Sequence, residues 1–449
     1  MNKTGMGTSV ARKDAIRKVT GQALFAADIV KPGMLYAKVL RSKVPHAILE
    51  AIDTSAAEAY PGVVKVLTAA DIPGAGGVGT MLKGEACSER DGCMPLFKAS
   101  GVGIIIKDEP VLVHDKIRRI GDAIALVAAE TEQAAEAALK LIQVTMKELP
   151  AVFDPIEAMK PGAPQVHANN VLTLRKIRKG DVDAAFANAD VIIENQYRTQ
   201  SVEHAYIEPE AGVAEYDGHI LTMWVSTQNV HFDRKEVART MNMDANRVRI
   251  VQSVTGGGFG GKLDISVQCH LALLAYHTRR PVKLVYTREE SMAASAKRHP
   301  YIIDYKTAVT KDGKWTALKA TIIADTGAYA SYGPGVVTRA AVHATGPYEV
   351  PNVWVDAYGV YTNNPTAGAM RGFGVPQMAF AHESQLDLLA EKLGMSPLEI
   401  RLKNALAPGG VTATGQVLQH SVGIKETIRK AAEAAQKQGP NFSKWGVEA

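Results

Sequence analysis

The chain has 449 residues, of which 46% are hydrophobic and 22% are charged. This length is enough for two or three domains with cores of their own, and the composition is that of folded globular proteins, which excludes a disordered chain. Lys and Arg outnumber Asp and Glu only by 51 to 46. Because these charges form no basic block of the kind that binds nucleic acid, we expect no nucleic-acid partner.

The N-terminal segment and the cysteines bear on location and redox chemistry. The first residues lack the apolar core of a signal peptide, and no long apolar stretch occurs, so we expect a cytoplasmic protein with no membrane segment. The cysteines are Cys87, Cys93 and Cys269, and the spacing of the first two matches no familiar zinc or iron–sulfur motif. Any iron–sulfur cluster is therefore expected on another chain.

Residues 1–150 predict one domain of mixed helices and strands. Alanines and leucines recur at helical spacing over residues 131–141, and residues 143–146 are typical of a strand. Residues 73–92 are rich in glycine and charge, which predicts a surface insertion. Repeated prolines just after this domain predict a linker over residues 151–170.

Residues 171–449 predict a second domain of mixed structure. The basic residues 175–179 are interpreted as a short, solvated, loop-like run, and strands are expected at 219–225, 247–251 and 282–286. The dipeptide Asp312-Gly313 favours the tight turn of a hairpin. A helix over 385–393 should stop at Gly394, Ser396 and Glu399 should form the capping box of the next helix, and a last helix is expected at 425–437. The predicted fold class is α+β.

The segment TGGGFGGK, residues 255–262, is the strongest local signal for a binding site. Only Phe259 interrupts the glycines, so the backbone can approach a ligand closely and offer its amide N–H groups. Two nucleotide-binding motifs match in part but fail elsewhere. No acidic residue follows at the distance that holds a ribose, and Leu263 stands where a phosphate loop needs Ser or Thr. A tight turn between packed elements is the remaining alternative.

A second candidate is RGFGVPQ, residues 371–377. Arg371 offers a bidentate donor for a phosphate or a polar ring, and Phe373 offers a stacking face. By itself an aromatic residue between glycines is more typical of a packed loop than of a binding platform.

Taken in order, these segments resemble the molybdopterin subunit of the xanthine dehydrogenase and aldehyde oxidase family. The segments that resemble its N-terminal hammerhead-like domain are VTGQALFAADI from Val19, RSKVPHA from Arg41 and VHDKIRRIGDAIALVAAET up to Thr131. Those that resemble the first half of its molybdopterin-binding domain are VEHAYIEPE from Val202, WVSTQN from Trp224, TGGGFGGK from Thr255, RPVKLVYTREESMAASAKRHP from Arg280 and GAMRGFGVPQ from Gly368. The resemblance is strongest to members in which the molybdenum subunit is divided between two polypeptides.

The resemblance implies an enzyme with several partners. The family hydroxylates an electron-poor carbon, usually beside a ring nitrogen, with oxygen derived from water. We therefore expect molybdopterin with Mo on this chain, in the cytosine dinucleotide form. A second molybdopterin subunit would supply the C-terminal half and the catalytic Glu, and an iron–sulfur subunit and a flavin subunit would carry [2Fe–2S] clusters and FAD.

The resemblance also implies roles for individual residues. Gln228 would hydrogen-bond the molybdenum oxo group, with no direct protein ligand to the metal. Phe373 would stack on the substrate ring, and Arg339 would face the substrate as a charge stabiliser. The residues that would border the cofactor are Gly257, Gly258, Phe259, Gly260, Gly261, Arg371 and Gly372. In the simpler alternatives, Gln228 only closes a local turn and Arg339 pairs with a nearby carboxylate.

Leu263 bears on the substrate. Purine-oxidising members carry a glutamate at the matching position, and a leucine cannot accept a hydrogen bond from a purine. This favours a nicotinate-like N-heteroaromatic substrate over xanthine. A hydroxylase for a purine, an aldehyde or an aryl thioester, and a chain that holds the cofactor without turnover, remain as alternatives.

Overall fold

The computed structural model describes residues 7–73 and 101–436. Most of the predicted insertion at 73–92 lies outside these residues, as do Cys87 and Cys93. The helices of the described part are α1 Ala15–Val19, α2 Ser55–Glu58, α3 Glu132–Leu139, α4 Pro155–Ala158, α5 Val182–Ala187, α6 Val230–Thr240, α7 Gln268–Thr278, α8 Arg288–Ala294, α9 Gly333–Val342, α10 Val375–Leu393, α11 Pro397–Asn404 and α12 Ile424–Gln436. Among these residues, no helix is both long enough and apolar enough to cross a membrane.

The strands alternate with these helices along the chain. They are β1 Leu35–Arg41, β2 Ala47–Asp53, β3 Val63–Leu67, β4 Gly101–Val102, β5 Glu109–Pro110, β6 Lys116–Ile117, β7 Ala123–Ala129, β8 Gln143–Glu148, β9 Val171–Lys179, β10 Val191–Arg198, β11 Ala211–Tyr216, β12 Leu221–Val225, β13 Val248–Gln252, β14 Val282–Val285, β15 Tyr301–Val309, β16 Trp315–Gly327 and β17 Asn352–Tyr361. The mixture of helices and strands confirms the predicted α+β class.

The larger sheet joins strands from residues 35–129 with strands from residues 211–285. Its order is β13-β12-β11-β14-β1-β7-β3, and β1 pairs in parallel with β14 through Leu35 and Val282. Strands from residues 1–150 and from residues 171–449 therefore share one sheet. Helix α7 packs on this sheet, and residues 268–275 are all buried. The boundaries at residues 150 and 170 stay a prediction.

A second sheet has the order β10-β15-β16-β17-β9 and packs against α9 and α10. Gln385 of α10 is fully buried beneath it. The side-chain amide of Gln385 donates to Ile193 O at 2.9 Å and to Thr307 Oγ1 at 2.9 Å, and its oxygen accepts from Tyr197 at 2.5 Å and from Asn195 at 2.9 Å. One side chain thus fixes the helix to two strands.

Several local predictions are confirmed with small shifts in their bounds. Thr131 caps α3, its side chain accepting from Ala134 N at 3.1 Å. The hairpin of β15 and β16 turns at Gly313, whose φ is +81°. Ser396 and Glu399 form the expected capping box, and Gly394 ends α10 in the left-handed conformation.

Two predictions differ from the structure. The run at residues 175–179 is not loop-like, because it forms the C-terminal part of β9 at the edge of the second sheet. Exposed basic side chains are a common way to protect such an edge, so the pattern of a solvated run is also that of an edge strand. The helix expected at 385–393 begins ten residues earlier, at Val375, where Pro376 suits the first turn.

Candidate functional site

Gln228 and the glycine-rich residues 255–262 lie at one edge of the larger sheet. β12 and β13 are parallel neighbours that end together, with Val225 beside Gln252. Gln228 follows β12, and residues 255–262, which we call the glycine loop, follow β13. The carboxyl ends of parallel strands meet at the same edge, which is where open α/β sheets bind ligands.

Gln228 lies against the glycine loop with a defined orientation. Its Oε1 accepts from Gly260 N at 3.0 Å and from Lys262 N at 3.2 Å. Because backbone N–H groups only donate, these contacts fix which end of the amide is oxygen. The Nε2 group donates to no residue of the described part of the chain, and the side chain is exposed. The amide of Gln228 therefore presents two N–H donors outward.

The glycine loop has a row of amides available for a ligand. The N–H groups of Gly257, Gly258 and Phe259 donate to no acceptor within the described residues, whereas Gly260 and Lys262 donate to Gln228 and Gly261 donates to Gly258 O. Successive free N–H groups form a cradle for anionic or polar ligand atoms. A Cβ on Gly258 would lie 2.5 Å from Gln228 Oε1, so glycine is required there for the approach of Gln228.

A second loop, residues 368–374, closes against the first, and we call it the arginine loop. Arg371 N donates to Phe259 O at 2.9 Å. A Cβ on Gly260 would come within 2.5 Å of Ala369 O, and His204 Nε2 donates to that same oxygen at 2.8 Å. Backbone contacts thus join two segments that are more than 100 residues apart in the chain.

Phe373 and Arg339 lie on neighbouring elements. Phe373 is half-buried and meets Tyr332 edge-on, with ring centroids 5.9 Å apart. Its ring would lie 3.2 Å from a Cβ on Gly335 of α9. Arg339 is exposed on the same helix and forms no ion pair within the described residues, so the alternative of a local carboxylate partner finds no support. Gly372 and Arg371 are exposed on the arginine loop, and Leu263 is half-buried after the glycine loop.

Strained backbone is concentrated around these loops. Within the described residues, seven non-glycine residues have positive φ, and Ala205, Phe259, Ser331 and Phe373 among them border the two loops. Such conformations persist only where the surrounding structure enforces them, and they cluster at ligand sites.

Sequence reasoning did not single out the ion pair beneath the glycine loop. Lys262 is 2% exposed, and its Nζ lies 3.0 Å from Glu208 Oε2 and 2.9 Å from Ser226 Oγ. Glu208 Oε2 also accepts from Gly256 N at 2.6 Å. Burial lowers the pKa of Lys262, although the Glu208 carboxylate acts in the opposite direction. The available signal was a lysine directly after a glycine run, with glutamates in the segment YIEPE.

Acidic groups line the interior behind the loops. Asp264 and Glu109 border one small cavity, and Glu109 also borders another of about 40 Å³ beside Arg119 and His270. Removal from bulk water raises the pKa of Asp264 to about 7, and the Glu109 carboxylate adds to the rise. Asp233 of α6 is fully buried, and its burial likewise raises its pKa to about 7. Asp264 and Asp233 therefore bind protons more tightly than ordinary carboxyl groups do.

The donor set fits an organic cofactor. N–H groups without an acceptor in the described residues come from Gln228 and from the glycine loop, and Arg371 adds a cation. The described residues contain no group of three or more His, Cys, Asp or Glu side chains placed to hold a metal ion. Such an arrangement suits a ligand with phosphate, oxo or ring-oxygen acceptors.

Comparison with known proteins agrees with this chemistry. Residues 163–405 match the molybdopterin cofactor-binding domain, and residues 20–91 and 94–150 match the aldehyde oxidase and xanthine dehydrogenase a/b hammerhead domain. The nicotinate dehydrogenase large molybdopterin subunit of Eubacterium barkeri is 50% identical over 432 residues, which are 96% of this chain and 96% of that protein.

Two further relatives are longer than this chain. A probable xanthine dehydrogenase subunit of Bacillus subtilis (strain 168) is 42% identical over 89% of this chain and 51% of its own length. The solved aldehyde oxidoreductase from Desulfovibrio gigas is 32% identical, with a TM-score of 0.85 over 96% of this chain and 47% of that one. The chain spans about half the length of these two relatives. On these matches, and above all on the relative that is similar over nearly its whole length, this chain belongs to the xanthine dehydrogenase and aldehyde oxidase family of molybdenum oxidoreductases.

Proposed function

We propose that this chain holds the molybdopterin cofactor of a multi-subunit hydroxylase that acts on a nicotinate-like N-heteroaromatic ring. The observation that carries the proposal is the orientation of Gln228, whose oxygen is bound by the glycine loop while its N–H groups face outward. When bound, the cofactor supplies the molybdenum centre at which a ring carbon is hydroxylated with oxygen from water. The similarity to the nicotinate dehydrogenase subunit supports the substrate class.

This chain's own residues would bind and orient the cofactor. Gln228 Nε2 would donate to an oxo group, and the amides of Gly257, Gly258 and Phe259 would be available to polar atoms of the cofactor. Gly260 and Gly261 allow the loop to pack closely on its protein neighbours, since a Cβ on either would collide with them. Arg371 and Gly372 would hold the pterin, near the N-terminus of α10, where the helix dipole would favour the phosphates of a cytosine dinucleotide form.

Other residues would contact the substrate. Phe373 would stack on the substrate ring, in a position fixed by Tyr332 and α9. Arg339 has no carboxylate partner in the described chain and is available to a substrate carboxylate or to developing negative charge. Leu263 presents an apolar surface where a purine would need a hydrogen-bond acceptor.

The remaining components come from partners. The relatives that continue beyond the matched region support a second molybdopterin subunit, which would provide the catalytic Glu. Iron–sulfur and flavin subunits carrying [2Fe–2S] clusters and FAD would take up the electrons. We also propose the domain boundaries at residues 150 and 170, since the hammerhead match ends at residue 150 and the molybdopterin-binding match begins at residue 163, and we propose a cytoplasmic location.

Purification from the native source, with partners kept attached, tests the proposal. We expect molybdenum, iron, FAD and a second molybdopterin-type chain in the complex, and reduction of an added dye with nicotinate. Xanthine, an aldehyde and an aryl thioester serve as comparison substrates. If the complex prefers one of them, that compound replaces nicotinate as the proposed substrate. Molybdenum without turnover of any of them would favour a cofactor-holding chain, and a metal-free complex would refute the proposal.

A further inference from the structure

One carboxylate oxygen of Glu208, whose side chain is 10% exposed, forms hydrogen bonds with both ends of the glycine loop. Glu208 Oε2 accepts from Gly256 N at 2.6 Å at the beginning of the loop and from Lys262 Nζ at 3.0 Å at its end. It also accepts from Ser226 Oγ at 2.7 Å, and Ser226 directly follows β12. The carboxylate therefore links the loop to the strand from which Gln228 extends.

The ammonium group of Lys262 is held on several sides. Besides Glu208 it donates to Ser226 Oγ at 2.9 Å, and it lies 4.7 Å from the centre of the Tyr206 ring. Carboxylate, hydroxyl and aromatic face together replace the water that the ammonium loses on burial. The pair is thus well satisfied, although Glu208 Oε1 has no hydrogen-bond partner in the described chain.

Stability alone gives little reason for such a pair. Apolar residues of similar volume often replace a buried ion pair without loss of stability, whereas removal of one partner leaves a costly unpaired charge. A pair of this kind does, however, fix geometry, because its hydrogen bonds join defined points on the loop to the segment that follows β12.

We propose that Glu208 and Lys262 are positioning residues that hold the glycine loop in its ligand-binding shape before the cofactor arrives. This inference rests on the proposed role of the loop. With both ends of the loop held, the amides of Gly257, Gly258 and Phe259 keep their places and remain without an acceptor in the described chain. Binding then costs less ordering entropy, which is the general gain from preorganisation.

Amide hydrogen exchange on the cofactor-free complex tests the proposal without any need for activity. The variant Lys262→Met removes the ammonium and leaves the chain length nearly unchanged. We expect the hydrogen-bonded amides of the loop, those of Gly256, Gly260, Gly261 and Lys262, to exchange at least about tenfold faster than in the wild type, which corresponds to ~1.4 kcal/mol of lost local protection. Molybdenum content at limiting cofactor should fall, and Glu208→Gln should have the same effects to a smaller degree.

Lys38→Met is the matched control. Lys38 is 4% exposed and pairs with Glu132 at 2.7 Å and Glu136 at 3.1 Å, on strand β1 rather than at the loop. Loss of that pair should leave exchange at 256–262 unchanged. If Lys262→Met does not accumulate, Glu208→Gln alone decides the question.

Exchange at the loop that equals the wild type in Lys262→Met, or in Glu208→Gln where that variant decides, would overturn the positioning role. So would an equal effect of Lys38→Met. A wild-type complex that never contains molybdenum would instead refute the proposed function, and the exchange experiment would still report on the pair.

Discussion

Replacing Gly260 by alanine should separate the two loops of the candidate site. Gly260 has a φ of +108° and its new Cβ would lie 2.5 Å from Ala369 O, compared with 3.4 Å for an ordinary contact. The neighbouring hydrogen bond from Arg371 N to Phe259 O, now 2.9 Å long, would be stretched beyond useful range. Backbone strain costs about 1–2 kcal/mol, and a lost hydrogen bond adds about 1 kcal/mol.

Substitution of a second glycine distinguishes the effect of the steric clash from the effect of the backbone strain. Gly218 has a similar φ of +100°, but the nearest atom to its Cβ would be Arg279 Nη1 at 3.8 Å. Gly218→Ala should therefore show the strain alone, with unchanged molybdenum content. Gly260→Ala should lower the thermal midpoint of the complex further and reduce its molybdenum content. Equal midpoints and equal metal contents for the two variants would show that the loops are not held by this contact.

Three other changes test separate parts of the argument. Gln228→Glu keeps an oxygen for Gly260 N and Lys262 N but removes the outward donor, so kcat should fall about 100-fold while the thermal midpoint stays near that of the wild type; normal turnover would exclude the donor role. The carboxyl of Asp233, with its pKa raised from 3.8 to about 7, binds a proton more tightly in the folded state, so wild-type stability should fall as the pH rises through that interval, by about 1.4 kcal/mol per pH unit. In Asp233→Asn the thermal midpoint should depend less on pH over the same interval. An unchanged pH dependence would contradict the assignment of the raised pKa to Asp233. Gln385→Leu removes the five side-chain hydrogen bonds that join α10 to the second sheet and should cost about 3 kcal/mol or more, measured as a fall in the thermal midpoint; an unchanged midpoint would mean that these bonds add little.

Local sequence signals were sufficient to predict many individual elements of the fold. Turn, capping and C-terminal signals at Gly313, Ser396 and Gly394 act within a few residues, so their outcome depends little on the rest of the fold. The edge strand at 175–179 was misinterpreted for the converse reason. Its basic side chains are typical both of a solvated loop and of a sheet edge, and only its pairing with β17 distinguishes them.

The shared sheet could not be derived from local patterns. The register of β1 with β14 joins residues almost 250 positions apart, and parallel pairing leaves no turn motif in the sequence from which to predict it. The same holds for the ion pair of Glu208 and Lys262. Each residue had an ordinary sequence context, and their partnership depends on the way in which β12 and β13 bring their following segments together.

The candidate site illustrates how glycines and strained residues support one another. Gly260 admits the Ala369 carbonyl, and that contact fixes the arginine loop beside Phe259. Phe259 and Phe373 have positive φ values of 52° and 55°, conformations that each disfavour folding by about 1–3 kcal/mol unless packing enforces them. The contact between the loops provides that enforcement, so the strain and the close approach exist only together. The glycines in the two motifs are thus needed less for flexibility than for bringing two distant loops into one rigid surface.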